Sequence, residues 1–349
     1  MSSKHIVGHL TRFSLVAALA VASVLPVAVT SAAQTPYKIQ DNWSIGGEGG
    51  WDYLAVDAAT HRLFVTHGAR VEVLDLASGK SVGAITGLKG THGVAFDTDG
   101  KLGYISDGRA NAVVVFDRAS LATVATIPVG TNPDGILFEP VTKTVWTFNG
   151  GSKNATVVDA ATRKVIGTVA LGGKPEFPQA DGVGNIYDNI EDKNSIVRID
   201  AKTQKVTATW PACDSPSGLA IDLEGHRLFA VCDGKKMAVV DYNTGKLLAT
   251  PAIGDGPDAV SYDAKHKLVF SSNGEGTMSI VDASNTSYKT VQTLPTQKSA
   301  RTMAFDEATG RAFLVAAKFG PPPAPTAANP RPWPSVLPNT FVVLVAGHE

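Results

Sequence analysis

Apolar residues fall in short runs of four to six separated by polar turns, and the runs recur with a period near 42. The fifth copy shows the grammar in full: Gly218-Leu219-Ala220-Ile221-Asp222, Arg227-Leu228-Phe229-Ala230-Val231, Met237-Ala238-Val239-Val240-Asp241, then Lys246-Leu247-Leu248-Ala249-Thr250. Runs this short, rich in Val, Ile, Phe and Thr and bounded by Gly, Asp and Asn, predict strands, four to each repeat. The third run of successive copies ends on Asp75, Asp117, Asp159, Asp200, Asp241 and Asp282, at spacings of 42, 42, 41, 41 and 41 residues. A short carboxylate there accepts a hydrogen bond from the backbone two residues on, and Gly79 or Gly245 then supplies positive φ, so these aspartates are read as turn-makers.

Several strands, such as Val113-Val114-Val115-Phe116, are apolar throughout rather than alternating, which requires burial on both faces. Four-stranded units of about 42 residues meet that need by stacking face to face around an axis. The expected fold is therefore all-β, a seven-bladed β-propeller with four antiparallel strands per blade. Blades start near Trp51, His92, Asp134, Glu176, Ser217, Asp258 and Arg301. The seventh has three strands of its own, at Thr302 to Phe305, Arg311 to Ala317 and Phe341 to Val345, and Tyr37 to Ile45 is expected to supply the fourth and close the ring.

Residues 1–33 read as a signal peptide: Lys4 and Arg12, an apolar stretch from Phe13 to Val29, then Ser31-Ala32-Ala33. Residues 34–349 are then the propeller domain, periplasmic or secreted, monomeric and without a membrane span. Losing Lys4 and Arg12 takes the formal charge from −1 to −3, which argues against a nucleic-acid partner. The two cysteines, Cys213 and Cys232, fall at one rim of blade five, and export favours a disulfide between them.

His61, His226 and His266 occupy one repeat-equivalent turn and are decoration. The loops that lead into each blade and those between second and third strands open on the opposite rim, where the copies diverge. The expected ligand-binding set there is His67, His92, Asp107, Asn149, Glu176, Glu191, Asp258, Asn273, Arg301 and Lys318, with Asp52 and Asp134 in the same loops. A divalent metal ion is the cofactor this set admits, on His67, His92 and Glu176. A catalytic reading uses His92 or Glu176 as acid or base with Arg301 as clamp. Residues 319–338 form a proline-rich insertion in blade seven at the same rim, expected to cover the channel with Arg331 and Trp333 turned inward.

Phe64-Val65-Thr66-His67, Tyr104-Ile105-Ser106-Asp107, Trp146-Thr147-Phe148-Asn149 and the segment Asp241-Tyr-Asn-Thr-Gly-Lys246 resemble the repeats of the YVTN/YncE-like seven-bladed propellers over residues 37 to 349. His67, Ile190, Cys232 and Ala316 stand where that family has Asn at the strand end. The resemblance implies an exported bacterial protein; the family and its relatives include surface-layer proteins, a periplasmic DNA-binding propeller and lactonases. The chain is accordingly read as an exported binding or scaffold module taking a small molecule or protein partner at its rim. A lactonase-type hydrolase or metal-dependent enzyme is the alternative, and single-stranded DNA binding ranks lowest.

Overall fold

A computed structural model of the chain describes residues 1–5, 8, 35–326, 332 and 334–348. The core of the expected leader, together with Arg331 and Trp333, lies outside the described residues. Among the described residues there are seven four-stranded antiparallel sheets and no α-helix, only 3-10 turns at Gly108–Ala110 and Glu191–Lys193. Six sheets run in simple chain order from inner to outer strand. The seventh pairs Thr302–Asp306, Arg311–Ala316 and Val342–Gly347 with Lys38–Ser44 on the outside, so that an early strand closes the ring.

The core is seven slabs, one between each pair of neighbouring blades. Val114 and Phe116 pack against blade one with Phe64 and Val73, whereas Val113 and Val115 pack against blade three with Val145 and Val158. The pleat sends successive side chains to opposite faces, and both faces are covered, which is why the strand reads as continuously apolar. The closing strand joins this scheme through Trp43, buried among Leu63 and Val65 of blade one and Phe313 and Val345 of blade seven. Its indole nitrogen donates to Asp41 at 2.9 Å, and a Cβ on Gly79 would lie 2.1 Å from the indole ring.

The periodic aspartates do make turns, but in four of the six blades the amide they accept from lies three residues on rather than the expected two. Asp75 accepts from the Ser78 amide at 2.8 Å, Asp159 from Thr162 at 2.7 Å and Asp200 from Thr203 at 2.7 Å. The left-handed residue that follows is Gly79 or Gly245 in two blades but Leu121, Arg163 or Gln204 in three others. Glycine is therefore needed less for its φ than for the tryptophan lying on it, Trp43 at Gly79 and Trp210 at Gly245.

Candidate functional site

Five of the seven inner strands begin at the same register against the end of their neighbour: Trp51 opposite His67, Thr91 opposite Asp107, Pro133 opposite Asn149, Pro175 opposite Ile190 and Pro257 opposite Asn273. Each of these pairings is followed by a bulge. The bulge re-aims one side chain per blade. In these five blades those side chains are Asp52, His92, Asp134, Glu176 and Asp258; Ser217 and Arg301, just ahead of the inner strands of blades five and seven, complete one ring of seven positions equivalent in the repeat and different in chemistry. Side chains on the second strands hold the bulged backbone and tie each blade to the next. Ser106 donates to the Asp134 carbonyl at 2.5 Å and Asn189 to the Ser217 carbonyl at 2.8 Å, while Thr302, on the inner strand of blade seven, donates to the Asp52 carbonyl at 2.7 Å.

One residue further along, the copies carry Gly93, Gly135, Gly218 and Ala259, but Tyr53 in blade one and Phe177 in blade four. A Cβ on Gly135 would stand 2.3 Å from the Glu176 carbonyl oxygen, so the neighbouring inner strand can approach only a glycine there. Tyr53 and Phe177 extend into the middle, with ring centroids 4.6 Å apart. The ring of seven thus has an aromatic floor. Above it lies a cavity of about 1450 Å³, walled by ring members and by Trp51, Phe319, Pro322, Pro334, Val336 and Leu337. The proline-rich insertion enters this wall as a short stem, Leu337 N–H to the Lys318 carbonyl at 2.8 Å and Gly320 N–H to Ser335 at 2.9 Å. A second cavity of about 470 Å³ beside the outer strands of blade four, next to Trp210 and Pro211, holds Lys193 as its single charged side chain.

Charge in the ring is crowded and mostly acidic. His92 Nδ1 lies 2.6 Å from Asp52 Oδ2 and 3.6 Å from Asp134 Oδ1. Burial would pull the imidazole down, but the Asp52 hydrogen bond and the charges of Asp134, Asp52 and Asp107 outweigh it and raise it to about 9. Asp134 is pushed up to about 7 by burial and by Asp52, against the opposing pull of His92. Lys174 Nζ sits 2.5 Å from Glu176 Oε1 and also contacts Glu191. Burial and the Asp134 charge nevertheless raise Glu176 to about 9, while Glu191, nearer solvent and bonded to Lys174 and Glu176, is lowered. The pair therefore shares one proton, kept on Glu176. Arg301 reaches Asp258 at 2.6 Å and is raised chiefly by it; burial still raises Asp258. Behind Glu176 and Asp134 lies Asp188, fully buried and without a side-chain hydrogen-bond partner, its carboxyl held well above the usual range by burial and those two neighbours.

The remaining expected residues are placed differently from one another. Glu191 and Lys318 line the cavity with Glu176, Asp258 and Arg301. His67 does not join His92: it is buried against Phe341, ring centroids 4.1 Å apart, with Glu72 at 3.9 Å. Asp107, Asn149 and Asn273 turn back into their own blades. Asp107 accepts from the Lys89 and Gly90 amides at 2.9 and 2.8 Å. Asn149 donates to Asn154 and Thr156, and Asn273 to Thr277 and Ser279, all at 2.8 to 3.0 Å. Asp52, Lys174 and Tyr53 belong to the site beyond the expected ligand set. Cys213 and Cys232 form a disulfide that ties the loop before blade five to its second strand, flanked by the cavity residues Ser215 and Asp233.

Of chemistries, a carboxylate and imidazole set drawn from blades one to three can hold a first-row divalent ion, since Asp52, His92 and Asp134 offer donor atoms all within 4.8 Å of one another. Glu176 can hold or release a proton. No family model matches the sequence, and no curated sequence matches it. Among solved structures the chain is similar to hydrazine synthase of Kuenenia stuttgartiensis, at 16% identity over 76% of this chain and 92% of that one, with a TM-score of 0.69. It is also similar to U3-55K, at 12% identity over 88% and 98% of the two chains, with a TM-score of 0.70. At such identities the likeness concerns the fold alone, and the fold is that of a seven-bladed β-propeller.

Proposed function

We propose that this chain is an exported binding module that takes a small molecule into the cup above Tyr53 and Phe177. The observation that carries the reading is the cup itself, a cavity of about 1450 Å³ with one wall of ring carboxylates, Arg301 and Lys174 and another of Trp51, Phe319, Val336 and Leu337. Convergent polar groups opposite an apolar wall suit a ligand with a hydrogen-bonding head and an apolar body. The disulfide fits an oxidising compartment, which supports export. Carboxylates around the mouth have the wrong sign for a phosphate backbone. In the hydrolase alternative Glu176 would be the acid and Arg301 the clamp, yet each is already bound to a neighbour, Glu176 to Lys174 and Arg301 to Asp258. Binding without turnover therefore ranks first.

Thermal-shift measurements with polyols, hydroxy acids and amines bearing alkyl or aryl tails test this. Ligands that stabilise the wild type should lose their effect in Ser217→Trp, which fills the cup from its smallest ring position. Equal stabilisation of that variant, or no response across the series, would overturn the proposal.

A further inference from the structure

We infer that Asp52, His92 and Asp134 form a binding site for one first-row divalent cation, with its remaining coordination positions open to the cup. The three residues come from three successive blades, and the bulges of their inner strands put them at one level of the ring. Donors in adjacent positions around such an ion stand about 3 Å apart, given metal–ligand distances of about 2.0–2.2 Å. The separations of 2.6 and 3.6 Å from His92 Nδ1 bracket that value, and all three donors stay within 4.8 Å. Two carboxylates and one imidazole are a donor set for Mn²⁺, Fe²⁺, Co²⁺ or Zn²⁺ with positions to spare.

Two further observations point to a cation. The imidazole is cradled so that Nδ1 faces the carboxylates: a Cβ on Gly108 would lie 2.5 Å from Nε2, so that glycine alone lets the ring lie where it does. The local charge is also only partly compensated. Arg301 is committed to Asp258 and Lys174 to Glu176 and Glu191. Two carboxylates, Asp52 and Asp134, are left to one imidazole. A bound cation would neutralise this excess. Residues expected to hold a metal from the sequence, His67 and Glu176, are occupied elsewhere, His67 against Phe341 and Glu176 by Lys174.

This site deepens the binding reading, since the ion would anchor the head of a ligand in the cup. The two are tested apart, because metal uptake is read on the protein alone. Equilibrium dialysis of the mature protein against Mn²⁺, Co²⁺ and Zn²⁺, followed by elemental analysis, should give one equivalent of metal. Affinity should fall about 100-fold or more in His92→Ala and Asp134→Asn, and stay unchanged in the surface control His61→Ala. Spin-echo measurements on Mn²⁺-loaded wild type should show one coupled imidazole nitrogen, which keeps the test open should a ring variant misfold. Uptake well below one equivalent, retention of affinity without His92, or no nitrogen coupling would overturn the site. Metal uptake without response to any organic ligand would leave the ion site standing and remove the cup reading.

Discussion

Glu176→Gln tests whether the cup carries a proton at neutral pH. The carboxyl is raised from 4.5 to about 9, first by burial and then by Asp134, against the opposing hydrogen bond from Lys174. The folded protein thus holds this proton while the unfolded chain releases it above its ordinary pKa, so unfolding becomes easier as pH rises from about 4.5 to about 9. At 1.36 kcal/mol per unit the rise corresponds to about 6 kcal/mol for the group alone. Glu191 moves the other way and shares the proton, which offsets part of that. Glutamine keeps the shape of the protonated acid and cannot ionise. Urea unfolding of both proteins should give nearly equal stability at pH 5 and a more stable variant at pH 9, by less than that single-group figure. His92, which also titrates in this window, is common to both proteins. A variant that matches the wild type at pH 5 but is weaker at pH 9 would refute the reasoning, because Glu176 would then be an ionised partner of Lys174.

Closure and bracing give two further expectations. Trp43→Ala removes a buried indole from the seam between blades one and seven and should cost about 3–5 kcal/mol, measured by calorimetry, with faster amide exchange in Lys38–Ser44; unchanged exchange there would mean the strand does not depend on its tryptophan. The Cys213–Cys232 bridge spans 19 residues, and Cys213→Ala with Cys232→Ala should lower stability by about 3 kcal/mol; equal unfolding midpoints with and without reductant would show that the loop gains nothing from the bond.

The fold was legible because its signal repeats. A run of valines at residues 113–115 admits several structures alone, but four such runs every 42 residues with an Asp at each third end admit few. The ring was legible in part, since blade starts name the positions that bulge toward the axis. What each rim residue does there was not. Asp107, Asn149 and Asn273 sit at strand ends and resemble binding residues, yet their own loops consume them. A hint existed in the chain: Asn149 and Asn273 are each followed within seven residues by hydroxyl side chains that accept their amides, Thr156 and Ser279. His67 and His92 lie in neighbouring loops, and sequence cannot say that one ring turns into a blade seam while the other turns to the ring of seven.

The clearest mark of a site is the place where the repeat breaks its own rule. The position below the ring needs a small residue in most blades, because neighbouring inner strands come close there: a Cβ on Gly218 would stand 2.5 Å from the Asp258 carbonyl oxygen. Two blades on opposite sides violate this with Tyr53 and Phe177, and the rings meet at 4.6 Å. An aromatic pair gains apolar burial wherever it packs, so burial alone does not require this level. Its placement at the level of Asp134, Glu176 and Asp258, all of which act on the Tyr53 hydroxyl, removes water from beneath those carboxyls and raises the cost of their charge. The floor is thereby linked to the ring electrostatics: Phe177→Ala would admit water from below, and Glu176 and Asp134 would then relax toward ordinary carboxylate values. Carbon-13 titration of the two side chains reads that relaxation, and unmoved midpoints in Phe177→Ala would mean that the floor plays no part in tuning the ring.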